Sequence, residues 1–216
     1  MRLATRTFAA RAAAIVLTPF VALAAAQAQR TADEWWPEVD YYLSNSSNTL
    51  RLFAFGSATR TADDPDRRRA IGVHLDYGRA SWGFVAVGYH YYESGEQRVL
   101  FQAGLPNTTG KLRFRSRTRV ELRWLSGVPS QRVRERLRLE GETTAPWGKK
   151  RIVPYTQDEI FYDSRYRTIS RNRFYVGAEL WFDKHFNIDV AICREDDRFS
   201  STPHINAFAP KLVFRY

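Results

Sequence analysis

The chain has 216 residues, with 33 Lys and Arg against 23 Asp and Glu, a formal charge of +10, and 44% hydrophobic and 14% aromatic side chains. A single cysteine, Cys193, excludes an intramolecular disulfide framework, and the abundance of Trp, Tyr and Phe excludes a disordered composition. The length suits one folded domain.

The N-terminus reads as a targeting segment. Arg2, Arg6 and Arg11 precede an apolar run over 12–26, and Ala26-Gln27-Ala28 supplies a small-x-small cleavage pattern, so residues 1–28 are expected to be a signal peptide and residues 29–216 the mature domain. The apolar run is too short to span a bilayer core of about 30 Å with margin. An exported chain seldom meets nucleic acid, and the basic residues alternate along strands rather than cluster, so no nucleic-acid partner is expected.

The remainder reads as strands. From Lys111 to Trp124 every second residue is polar or charged, namely Lys111, Arg113, Arg115, Arg117, Arg119, Glu121 and Arg123, while Leu112, Phe114, Ser116, Thr118, Val120, Leu122 and Trp124 take the other face. After the turn-like Ser126-Gly127-Val128-Pro129, the pattern returns with Arg132, Arg134, Arg136, Arg138 and Glu140 opposite Val133, Leu137 and Leu139, which predicts a hairpin. Further strands are expected over 36–44, 48–57, 69–77, 82–92, 96–103, 151–163, 171–182, 185–194 and 204–216, joined mostly by short turns. These make eleven segments. Because a bacterial single-chain barrel normally has an even count, 10 to 12 strands are expected, with twelve preferred over ten. Counting back from Tyr216, the Ser126–Pro129 turn and the Ser164–Ser170 loop are expected to be extracellular and Asp183-Lys184 a periplasmic turn.

The expected class is all-β, a transmembrane antiparallel up-and-down barrel with an Arg-rich lumen; a soluble periplasmic β-barrel carrier, its charges facing outward, is the further alternative. Trp35, Trp36, Trp82, Trp124 and Trp181 lie near proposed strand ends, where rings form interfacial girdles. The last segment puts Phe208, Pro210, Leu212, Phe214 and Tyr216 on one face and ends on an aromatic residue. Leu212, Phe214 and Tyr216 resemble the C-terminal signal read by the outer-membrane assembly machinery. The expected location is therefore the outer membrane of a Gram-negative bacterium, with outer-membrane lipid and that machinery as partners.

Five stretches carry a family resemblance: Trp36-Pro37-Glu38-Val39; the strand from Arg117 to Trp124; that from Arg132 to Leu137; Pro154 to Asp163; and Asn172-Arg173-Phe174-Tyr175-Val176-Gly177. In this order, residues 34–216 resemble a proteobacterial outer-membrane barrel family known as domain of unknown function family 2490. The family carries no established activity, so the resemblance implies fold and location alone.

The lumen is the feature with chemical content. If Trp124 pairs near Gln131, Arg123 faces Arg132, Glu121 faces Arg134, Arg119 faces Arg136, Arg117 faces Arg138 and Arg115 faces Glu140. Cations outnumber carboxylates there, and Glu159, Glu179 and Asp76 from other strands are expected to reach across and compensate them. Such a lining is either a polar core of ion pairs or an anion-attracting vestibule, since Arg forks suit phosphate and carboxylate. Anionic small solutes or lipopolysaccharide are the partners the second reading implies.

A lipid-modifying enzyme, an acyl hydrolase or acyltransferase, is the alternative to a non-enzymatic envelope barrel. It needs a Ser activated by His. His74 and His90 sit in neighbouring segments, Ser81, Ser94, Ser116 and Ser164 are available, and Asp76 or Asp163 could orient a ring, but no spacing singles out a catalytic set. His185, His204 and Cys193 lack metal-ligand spacing, and Asp63-Asp64-Pro65-Asp66 lacks a full calcium register, so no metal is expected. Gly-rich phosphate loops are absent from the sequence, and no cofactor is expected.

Overall fold

A computed structural model describes residues 31–61, 68–79, 83–105, 112–141, 143–144 and 150–216. The expected signal segment, the 63–66 acidic turn, Ser81, Trp82 and Lys111 lie outside the described residues. Among the described residues the strands are β1 (Thr31–Trp35), β2 (Glu38–Ser44), β3 (Leu50–Thr61), β4 (Arg68–Arg79), β5 (Gly83–Tyr92), β6 (Gln97–Gly104) and β7 (Leu112–Leu125). They continue with β8 (Val128–Gly141), β9 (Thr143–Thr144), β10 (Arg151–Asp163), β11 (Thr168–Trp181), β12 (Phe186–Asp197) and β13 (His204–Arg215).

Successive strands pair antiparallel and the sheet closes where β13 meets β2, giving a barrel. Strand β1 precedes β2 across Trp36-Pro37 and pairs with β3, and β9 is a stub beside β10. The barrel wall thus has eleven strands, inside the 10 to 12 range. An even number, which ten and twelve both satisfy, closes on an antiparallel pair. Eleven makes the first and last strands run the same way, so the seam is parallel, from Lys211↔Glu38 to Arg215↔Tyr42. On its inner side Lys211 binds Glu38 and stands 3.3 Å from Asp40, and at its end Ser44 N donates to the Tyr216 carbonyl at 2.6 Å.

The period of two sorts side chains to opposite faces of the wall. On β4, Ala70, His74 and Asp76 are buried inside while Ile71, Val73, Leu75 and Tyr77 are exposed. On β7, Arg119, Glu121 and Arg123 are buried while Phe114, Val120 and Trp124 are exposed. The barrel is apolar outside and charged inside. Its exterior is interrupted by Glu135, which accepts from Ser116 and Thr118, and by Asp158, which accepts from Asn172. Phe208, Leu212 and Tyr216 are exposed, as their shared face requires.

Two tryptophans depart from the girdle expectation. Trp35 and Trp124 face outward, but Trp36 donates to Glu34 at 2.5 Å beneath the Arg173 guanidinium, and Trp181 donates to Glu179 at 2.9 Å beneath Arg151 and Arg215. The cause is alternation: Trp36 must oppose its neighbour Trp35, and Trp181 shares the inward phase of Glu179.

The β7–β8 hairpin is tighter than its four turn-like residues imply. Ser126 (φ 51°) and Gly127 (φ 80°) alone form the turn, with Leu125↔Val128 closing it. Two successive positive φ values match the twist of the flanking strands, and Pro129 becomes a strand residue. Gly127→Ala is expected to weaken the barrel by about 1 kcal/mol, because an L side chain resists this conformation, read as a lower urea unfolding midpoint.

Candidate functional site

The short turn moves the hairpin register by two residues from the expected one, which leaves the faces unchanged. The inward pairs are Glu121↔Arg132, Arg119↔Arg134, Arg117↔Arg136, Arg115↔Arg138 and Arg113↔Glu140. Three successive tiers therefore set arginine against arginine. Like charges in such positions repel, so neighbouring strands must supply carboxylates.

They do so tier by tier. Glu140, at 1% exposure, takes Arg113, Arg115 and Arg138 at 3.5, 3.1 and 2.8 Å. Glu179 on β11 reaches Arg138 at 2.5 Å. Glu159 on β10 binds Arg136 and lies 3.5 Å from Arg134. Glu121 meets Arg98 at 3.3 Å and Arg119 at 3.6 Å. At the rim, Asp163 holds Arg123 at 2.9 Å, Arg132 at 3.4 Å and Arg165 at 3.0 Å. Asp76, expected to join this network, instead pairs with Arg51 on the adjacent strand at 2.7 Å, because β3 sets that arginine directly opposite it.

Glu96, in the turn before β6, belongs to the same rim. Burial alone raises a carboxyl, but hydrogen bonds and charge from Arg98 and Arg123 outweigh it and hold Glu96 below the usual carboxylate range. Arg117 differs from all its neighbours. Among the described residues it has no carboxylate within ion-pair distance, while its buried Nε, like those of Arg134 and Arg138, makes no hydrogen bond.

Facing this arginine wall is a wall of small and aromatic residues. Gly72 and His74 alternate on β4, as Gly88 and His90 do on β5, and the antiparallel register puts each histidine opposite the other strand's glycine. A Cβ at Gly88 would come 2.6 Å from the His74 ring, and one at Gly72 would come 2.5 Å from His90 and 2.3 Å from Phe55. The glycines let the rings recline against the wall rather than fill the centre. Phe53 and Phe55 lie edge to face with His74 and His90 respectively, centroids 4.9 and 4.6 Å apart. Between the two walls lies a cavity of about 590 Å³.

A hydrogen-bonded row links the walls. Arg119 Nε donates to Gln102 Oε1 at 2.9 Å, Gln102 Nε2 to His74 Nδ1 at 2.7 Å, and His74 and His90 meet through their Nε2 atoms at 2.6 Å. Since an arginine can only donate, it fixes the direction of every later bond. His74 must donate to His90, which leaves the His90 proton on Nδ1. That atom is buried and has no partner among the described residues.

The candidate residues for acyl chemistry therefore divide differently from a Ser-His pair. His74 and His90 join each other; Ser116 serves Glu135; Ser164 accepts from the Gln131 amide; Asp163 serves arginines. His204 bonds Asp196 and His185 the Arg215 carbonyl. The residues that sequence reasoning passed over are Arg98, Glu96, Gln102 and the paired glycines. Their one available signal was Gly-x-His repeated in two adjacent strand segments.

No curated protein matches the chain. A family model described as "Protein of unknown function (DUF2490)" matches residues 33–203, almost the whole barrel, and the chain belongs to that family.

Proposed function

We propose that the chain spans the outer membrane of a Gram-negative envelope as a non-enzymatic barrel whose lumen attracts and passes small anions. One observation carries this reading: the polarity of the wall is inverted, with apolar side chains exposed and arginine tiers buried inside. Exposed Ile, Val and Leu on consecutive strands suit lipid better than water, and backbone polar groups are satisfied within a closed sheet. The N-terminal segment over 1–28 supports export, and the outward Leu212, Phe214 and Tyr216 support recognition by the assembly machinery. Inside, the β7–β8 hairpin brings more cations than carboxylates, and guanidinium forks match phosphate and carboxylate oxygens.

The test is single-channel recording of the detergent-purified protein in a planar bilayer under a salt gradient. Anion-selective steps, read from the sign of the reversal potential, are the expected result. Cation-selective steps, or silence from protein whose heat-modifiable gel migration shows it folded, would overturn permeation.

A further inference from the structure

We propose that the lumen cavity is a binding site for an oxyanion borne on a flat apolar group, an aryl phosphate or aryl carboxylate. The inference rests on the anion-attracting reading of the lumen and adds the class of ligand.

Three observations carry it. First, Arg117 is the cavity-lining arginine without a carboxylate among the described residues, and it stands between Arg119 and Arg136, in tiers whose carboxylates are already shared. An added oxyanion is the missing counter-charge. Second, His90, 3% exposed, lines the same cavity and holds an unpartnered Nδ1 proton. The row from Arg119 through Gln102 and His74 fixes that proton in place as a buried donor beside the cavity. Such a donor favours an oxygen-bearing ligand over a cation. Third, between the Arg51–Asp76 ion pair and the rim, the wall of β3 to β5 presents the aromatic rings of Phe53, Phe55, His74 and His90 to the cavity. Phe53 and Phe55 lie nearly parallel, 16° apart with centroids separated by 5.9 Å, and Gly72 lets the Phe55 ring lie close against the wall. A planar ring is the apolar group such a surface covers best. The cavity, about 590 Å³, is of the size that holds a small organic ligand.

The test is calorimetric titration of the detergent-purified full chain with phenyl phosphate, inorganic phosphate and benzylammonium. Phenyl phosphate is expected to bind about tenfold more tightly than inorganic phosphate, and benzylammonium not at all. Arg117→Gln, checked for folding by gel migration, is expected to lower the affinity for both phosphates about tenfold, the worth of one charged hydrogen bond. Equal affinities for the two phosphates would overturn the aryl site and leave the anion-attracting lumen standing. Absence of binding by either, or equal binding of benzylammonium, would overturn both. Tight phenyl phosphate binding by a protein that shows no anion-selective current would retain the site and remove permeation.

Discussion

Glu159→Gln is expected to lower the stability of the folded barrel by about 3–5 kcal/mol, read as a fall in urea unfolding midpoint with the slope unchanged. Glu159 is fully buried, faces Arg136 on one side and Arg173 on the other in register, binds Arg136, and accepts from Gln157 at 3.1 Å. Glutamine keeps the shape and removes the charge. Arg134 and Arg136 then lose the carboxylate they share. The paired control carries the opposite sign: Arg117→Gln removes a cation that has no ion-pair partner, so stability is expected to hold or rise. If Arg117→Gln cost as much as Glu159→Gln, charge balance would not be what holds the lumen, and packing of the long side chains would take its place.

Much of the barrel was legible because alternation is a local property. The run from Arg113 to Trp124 assigns each residue to a face without knowledge of any partner, and all eleven expected segments are strands. Pairing is not local. The two-residue slip of the β7–β8 hairpin arose because Ser126 and Gly127 suffice for the turn, a matter of backbone φ that the following Val128-Pro129 obscures. Faces survive a slip of two, so the lumen residues stay inward while their partners change: Arg119 meets Arg134 rather than Arg136. Asp76 departs from its expected place for the same reason, since its pairing with Arg51 follows from the β3–β4 register. The odd count hid the seam. A rule of even number expresses which way the first and last strands run, and nothing within a single strand reports that. The cavity was least visible of all, because it results from Gly72 and Gly88 lying opposite histidines on another strand.

Val73→Arg is expected to cost about 2–4 kcal/mol in phospholipid vesicles, the penalty of an arginine near the bilayer midplane on the lipid-facing side of a barrel. Val73 lies at the middle of β4, half exposed, between Ala54 and Tyr89 in the neighbouring strands and between Ile71 and Leu75 along its own. None of these neighbours offers a carboxylate, and the lumen is on the other face, so the guanidinium has only lipid or a long path to the interface. A soluble barrel gives a different answer. There the same position faces water, and a surface substitution away from any ion pair changes stability by no more than about 0.5 kcal/mol. Urea titration of the vesicle-reconstituted variant against the parent, with Val73→Ala to remove the contribution of lost side-chain volume, separates the two. A cost confined to that of alanine would mean the apolar exterior does not meet lipid, and the inverted wall would then need a protein partner to cover it.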